Sequence, residues 1–557
     1  MFNVAVAGVL PTDQWVYDQL NIQLKRIREY MEQEDDGAEL RFIASPGYTS
    51  SAWFEWIPQT GCGVTGYFNA PDPAMEKACD RTMTMEDVMP DTLGDMLCNR
   101  SDFLLAVWNE DVLEQGGATW ALLKMALKKR LPCIWISTRT QHIYWQEKTV
   151  YDTYEPERLR QAVHVLFRTV NEPIPHERSL SPLLRAGAFL YNRFLGKYKA
   201  THMFIDSQQD HMLQDDCKMG VESAGAEACR RRLLSHYRRF DRAAIAFNDL
   251  YQAVLYWRAV LPWVTTIFSA VGFYATGVFA ALELPFKVNW GIVAGVGFLI
   301  HGFLNLYVFL LSKSTRIKSY QQGMIVNRQL AEMLRILIHY VTFGIYPEMR
   351  RLCGENREVY ATLRQIILEA EPQTACRRIS REAYVEAFRR TDELLSDQIS
   401  YHKRSAERYS RVVRHLDRWS RIAFYIGFGF ILARAALQFA MSLPQVVIPG
   451  YDIGNGIELS RFIPSFANML ALMFPAWFSF FSSKLSLCNF QFNRDNHQKM
   501  LKLLRGEQDN FNHLKQNADV VPAEVLQTIT ESLTELMTEE DNAVWVKQYE
   551  GTRIQHL

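Results

Sequence analysis

The chain has 557 residues, 48% of them hydrophobic, which is more than one core requires, so several domains are expected. Lys and Arg total 61, and Asp and Glu also total 61, so net charge gives nucleic acid no footing as a partner. Nine cysteines show no CxxC and no Cys/His ligand spacing, which argues against a zinc site and fits reduced thiols in cytosolic surroundings.

In chain order, MFNVAVAGVL lacks a basic leader and reads as a first strand, 3–10, not as a signal peptide. Helical periodicity follows over 13–34, then a strand over 39–47 that ends in the turn Ser45-Pro46-Gly47. After a less regular stretch come a strand over 101–108, a glycine-opened helix over 115–130 and a strand over 131–138. Near-continuous apolar strands alternating with helices predict an α/β Rossmann-like domain with a parallel sheet over 1–150. Ligands of such sheets bind at the carboxyl ends of the strands. The candidate ligand residues are therefore Ala7, Gly8 and Val9 after the first strand, and Ser45, Pro46 and Gly47 after the second. Trp108 and Asn109 follow the third, and Gly116, Gly117, Ala118 and Thr119 open the next helix. Glycine there admits a phosphate close to the backbone, and the helix start offers N–H groups to an anion. A GGxT turn that only starts a helix is the plainer reading of the last group.

Residues 151–228 read as a linker, Pro- and Ser-rich over 171–187. Four apolar segments then reach the ~20 residues that cross about 30 Å of hydrocarbon. They are 259–282, 290–311, 422–441 and 463–483. Buried core helices are the competing reading. Basic residues such as Arg230–Arg232 and Arg258, Lys313 and Arg316, Arg404–Arg421, and Lys484 and Arg494 flank these segments on one side. The two hairpin connections hold only Lys287 and Arg461 as basic residues. The positive-inside rule then predicts a multi-pass protein of the inner (plasma) membrane, in contact with lipid, with both termini cytoplasmic. The two hairpins, within 229–350 and 351–515, read as an internal duplication. Each opens on a basic, tyrosine-bearing helix (around Tyr251 and Tyr409), and each closes on a polar helix (from Val326 and from Asp495). Basic inner flanks common to any helical hairpin would also explain part of this.

The few polar residues inside the segments include His301, Asn305, Arg434 and Asn468, and these four are the pore or gating candidates. A central arginine costs at least about 2.5–3.5 kcal/mol, so Arg434 lines a pore, snorkels or pairs between helices. Acidic residues are absent from all four segments, which disfavours a proton-coupled carrier. Residues 351–420 read as long charged helices, a stalk coupling the parts or a bundle that only packs. The tail, 516–557, reads as an acidic amphipathic helix.

The order Gly8, ASPG (44–47), SDFLLAVWNE (101–110) and GGATWALLKMALKKRLPCIWIS (116–137) resembles the SLOG superfamily, Rossmann-like domains related to the DprA and LOG proteins. The likeness covers about 140 residues and is most specific at SDFLLAVW and GGAT. It implies a pocket for a nucleotide-derived signal, of unspecified identity, lined by the residues above. Val9 stands where a His is expected, no Gly-Ala-Asp follows the second turn, and Asn109-Glu110 replaces Asp-Gly. LOG enzymes carry a glutamate three residues past the threonine, where this chain has Leu122, so the resemblance implies binding and not N-glycoside hydrolysis. The membrane half resembles the SLATT class by layout, with the two-span unit present twice. Together these imply a ligand-gated, homo-oligomeric membrane effector of antiphage defence, with no cofactor. Two alternatives stay open. One is a membrane-tethered nucleotide N-glycosidase using Glu55, Asp102 or Glu110, and the other is a non-conducting scaffold.

Overall fold

The computed structural model describes residues 2–70, 72–85, 90–109, 117–147, 151–167, 189–190, 224–281, 290–313, 316–341, 349–353, 356–370, 376–379, 381–442, 452–453, 457–487, 490–517 and 520–522, with short pieces at 525–526, 528–529 and 532. The expected acidic tail helix falls largely outside them, as does most of 168–223.

The front of the chain builds β1 (Phe2–Gly8), α1 (Gln14–Glu34), β2 (Leu40–Ala44), α2 (Ser51–Gln59), β3 (Gly63–Phe68), α3 (Pro73–Glu76), β4 (Arg81–Met85), α4 (Pro90–Arg100), β5 (Phe103–Trp108), α5 (Ala118–Lys128), β6 (Cys133–Ser137), β7 (Ile143–Gln146), β8 (Tyr151–Thr153) and α6 (Pro156–Phe167). All seven residues of β1 are buried, as a strand covered on both faces requires. Asp13 caps α1 by accepting from the Trp15 N–H at 3.0 Å, and Val16, Leu20, Leu24, Ile27 and Met31 repeat at helical spacing to face the core.

The sheet has nine strands in the order β8-β7-β6-β5-β1-β2-β3-β4-β9, β9 being Cys376–Ile379. It is parallel from β6 to β9, and β7 and β8 add an antiparallel edge. β1 pairs with both β2 and β5, so strand order reverses between β1 and β5. The α/β expectation therefore holds, with a wider sheet than expected. β3 and β4 lie in the stretch that reads as irregular. Gly66 interrupts the apolar run of β3, and a side chain there would meet the Phe68 ring at 2.4 Å. The domain also extends past residue 150, because β8 joins the sheet and α6 packs on α1.

The ninth strand comes from far downstream. It is β9 (Cys376–Ile379), from the segment between the two hairpins, paired parallel with β4. Just before it, α10 (Met349–Cys353) and α11 (Arg357–Ala370) pack on each other, and α11 also packs on α6. Residues 351–380 thus belong in part to the α/β body, not to a free stalk.

The remainder is helical: α7 (Ala224–Ala281), α8 (Trp290–Lys313), α9 (Arg316–Val341), α12 (Arg381–Ser442), α13 (Leu459–Leu487) and α14 (Phe490–Lys515). The succession α7–α8–α9 recurs as α12–α13–α14, with lengths of 58, 24 and 26 residues in the first and 62, 29 and 26 in the second. At 1.5 Å per residue each long helix runs ~90 Å. α9 lies along α7, and α14 along α12. The apolar parts pack in sequence: α8 on α7, α7 on α13, and α13 on α12. Among the described residues one window, Ser465–Ser483 in α13, is long and apolar enough to cross a membrane, and none of it is buried. α8 holds a shorter apolar stretch, Gly295–Leu304. The other expected spans are helical along their described length within α7, α8 and α12.

Candidate functional site

The expected crevice is the set of turns where strand order reverses. Gly8 ends β1 with φ +98°, and a side chain there would lie 1.7 Å from the Val107 carbonyl of β5, so only glycine fits. The loop after β2 folds over this end. The Gly8 N–H donates to the Tyr48 carbonyl at 2.8 Å. The Gly8 carbonyl accepts from the Trp53 indole at 2.9 Å and from the Ser50 N–H at 3.2 Å. Trp53, fully buried on α2, thus anchors a turn that the sequence attributes to glycine alone.

Ser45 is the unusual member. Its carbonyl accepts from the Thr49 hydroxyl at 2.6 Å and from the N–H groups of Tyr48 and Thr49. Its own hydroxyl is wholly buried and meets no partner among the described residues. Such a group costs about 1–3 kcal/mol of desolvation and calls for an explanation. Pro46 is half-buried and Gly47 exposed, as is Val9. Ala7 is buried in the strand.

On the other side of the reversal, Trp108 is 7% exposed and stacks on Trp120 at 5.1 Å between ring centres. It also meets Trp135 edge-on at 5.2 Å, and Trp135 stacks on Tyr144 at 4.2 Å. Lys124 covers Trp120 at 5.0 Å. Gly117 caps α5 with no side chain to offer, leaving Ala118 exposed and Thr119 half-buried at the helix start. Asn109 is exposed, and Gly116 lies outside the described residues. The buried Tyr48 crosses from β2 towards α4, where a side chain on Gly94 would meet its hydroxyl at 2.5 Å. The structure therefore brings the ends of β1, β2 and β5 and the start of α5 to one edge of the sheet. Tyr48, Trp53 and Trp120 belong there too. The sequence signal for them was weak, because each aromatic sits at ordinary core spacing.

The alternative catalytic acids do not gather at this edge. Asp102 lies at the start of β5, the opposite end of the sheet, in a buried ion pair with Arg364 of α11. Glu55 is exposed on α2, and Glu110 is outside the described residues. A groove of about 370 Å³ opens elsewhere, between α1 and α2, beside Lys25, Arg28, Trp56 and Thr60. Arg28 there donates to the Thr60 carbonyl at 2.5 Å and to Cys62 Sγ at 2.8 Å.

Of the expected pore residues, His301 Nδ1 lies 2.9 Å from the Ser269 hydroxyl and 3.0 Å from the Thr265 carbonyl, tying α8 to α7. Gly427 and Phe430 contact Phe474 of α13, and Arg434 continues that face of α12 a turn further. Among the described residues no ion pair or hydrogen bond meets its guanidinium. The Asn468 carbonyl oxygen on α13 is buried and unpaired there as well. The Asn305 side chain is outside the described set.

A polar centre unforeseen from sequence joins the helical units. His402 of α12 and His497 of α14 face each other with Nδ1 atoms 2.9 Å apart. Tyr409 stacks on His497 at 5.6 Å. Burial, then Arg335, pushes the His402 imidazole down to about 4. Burial, then His402 and Arg408, pushes His497 down to about 3. Burial raises the neighbouring Glu332 carboxyl, but Arg328, Arg335 and His402 outweigh it and hold the group below its ordinary value.

No family model matches the chain, and no curated protein and no solved structure matches it significantly.

Proposed function

We propose that the chain is a multi-pass membrane effector whose α/β domain binds a phosphorylated, nucleotide-derived signal at the β1–β2–β5 edge and transmits it to the apolar helices. The observation that carries the binding step is the orphaned Ser45 hydroxyl beside the Gly8 turn, at the reversal of strand order. A phosphate oxygen would supply the missing acceptor, and the start of α5 would add N–H donors. Phe428, Ile431, Phe439 and Leu472 are 50%, 45%, 69% and 45% exposed, a greasy surface suited to lipid and not to water. Four spans, with basic flanks cytoplasmic, account for it. Transmission would run through β9, which is part of the sheet, and α11, which Arg364 ties to its base; both lie between the two hairpins in the chain. The SLOG and SLATT resemblances agree with this reading and extend it to pore formation in antiphage defence.

The test is to reconstitute the full chain in dye-loaded vesicles and titrate a panel of ADP-ribose-type and cyclic nucleotides, measuring binding and release together. Ser45→Ala is expected to keep the fold and lower affinity about tenfold. A folded protein that binds no member of the panel, or binds one equally well as Ser45→Ala, overturns the assigned site. Binding without release overturns gating.

A further inference from the structure

The row formed by the four apolar helices has two unlike ends, and one of its internal contacts is a pattern for closing them. Within the chain, α7 packs on α13. Trp263 of α7 stacks on Phe480 at 5.3 Å and on Trp477 at 6.4 Å. α7 is the first helix of the first hairpin, and α13 is the second helix of the second. This contact is heterologous: it joins different surfaces of two similar units. Its counterpart joins the first helix of the second hairpin, α12, to the second helix of the first, α8. In one chain these two helices stand at opposite ends of the row, with no extended packing between them among the described residues.

Their exposed faces match. On α8, Ile292, Val296, Leu299 and Phe303 recur every third or fourth residue and are 64%, 49%, 64% and 71% exposed. On α12, Tyr425 and Leu432 are 69% and 53% exposed, and Gly429 and Ala436 lie on the same stripe with exposed surfaces. Nothing lies within 4 Å of a side chain placed at Gly429. Laying Tyr251 on Tyr409 and Asn327 on Asn496 transfers the Trp263–Trp477 contact onto the other pair of helices. To within a helical turn, the antiparallel register then sets Phe303 against Tyr425, Leu299 against Gly429, Val296 against Leu432 and Ile292 against Ala436. A lipid-facing surface needs no such register, whereas the open notch at Gly429 suits an opposing Leu299.

We infer that α8 of one copy docks on α12 of the next, continuing the α7–α13 contact between chains, so that copies assemble head to tail. This rests on the proposed membrane reading of the four helices. Like-to-like dimers through α8 are the alternative outcome, and so is a row whose ends face lipid alone.

The test is cysteine cross-linking in vesicles without nucleotide, so that its outcome is independent of ligand gating. Val296→Cys combined in one chain with Leu432→Cys, or with Ala436→Cys one turn on, is expected to give an oxidant-dependent ladder above the dimer, since a closely packed pair of helices brings one of these positions within disulfide reach of Val296. Each single variant should remain at the wild-type level, and a mixture of the two single variants should stop at the dimer. A dimer from Val296→Cys alone, or no ladder from either folded double variant, overturns the inference. Native mass measurement of the wild-type chain in lipid discs guards against a misfolded variant, and a monomer there also overturns it.

Discussion

Asp102, just before β5, and Arg364 of α11 form a buried ion pair across 262 residues of sequence. The Asp102 carboxylate also accepts from the Asn3 N–H at 2.7 Å, and Arg364 lies over the Phe2 ring at 5.7 Å. Arg350 adds a bond to the Asp102 carbonyl at 2.8 Å. The base of the sheet is therefore clamped to the segment between the hairpins.

Breaking this clamp on one side leaves a charge buried and unpaired. Arg364→Met is expected to cost about 3–5 kcal/mol, and adding Asp102→Asn, which keeps an acceptor for Asn3, should recover more than half. Denaturant unfolding of the full chain in lipid discs, followed by tryptophan fluorescence, measures both. A loss below 1 kcal/mol for the single variant would contradict the clamp.

Gly8 and Gly61 separate strain from clash. Both have positive φ, +98° and +73°, but only Gly8 faces backbone, since nothing lies within 4 Å of a side chain at Gly61. Gly61→Ala should cost about 1–2 kcal/mol from backbone strain alone. Gly8→Ala should cost clearly more and abolish nucleotide binding, as melting curves and binding isotherms would record.

The His402–His497 pair sets an acid limit. Both imidazoles have lowered folded values, about 4 and about 3, against an ordinary 6.5. Above pH 6.5 both states hold them neutral and stability is unaffected. As pH falls from 6.5 towards 4, the unfolded chain takes up protons that the folded one refuses. Stability then drops by up to about 1.4 kcal/mol per pH unit for each histidine. The facing groups, Glu332, Arg335 and Arg408, are part of the same cluster. His497→Phe should flatten the pH dependence of unfolding between pH 6.5 and 4, and an unchanged slope would remove the pair from the account.

Arg434→Leu should stabilise the α12–α13 hairpin while impairing triggered release. The gain is bounded by the insertion cost of a central arginine, about 2.5–3.5 kcal/mol. Denaturation in lipid discs and dye release from vesicles read the two effects. Greater stability with undiminished release would mark Arg434 as a packing residue only.

The front strands with continuous apolar runs, β1, β5 and β6, were legible, as was the Gly8 turn that ends β1. β3 and β4 were not, because Gly66 breaks the apolar run of β3, and the short Thr-Met alternation of β4 promises one wet face whereas Thr82 and Thr84 are buried. Gly8 was found by its place after an apolar strand, but Trp53 and Tyr48, which hold its turn, look like any core aromatics. β9 and Arg364 could not be read at all, since a short strand and one arginine among many carry no sign of a partner hundreds of residues earlier. The helices through the apolar segments were plain from length and composition. The row in which they pack was not, because hydropathy says that a helix prefers grease and not which neighbour it takes.

The placement of β9 has a consequence for biosynthesis. Ribosomes deliver residues 376–379 after the whole first hairpin, so the sheet remains one strand short, and Asp102 without its arginine, until that hairpin has left the exit tunnel. The front domain is thus made first and finished late, and a nascent chain halted within the first hairpin would carry an incomplete sheet.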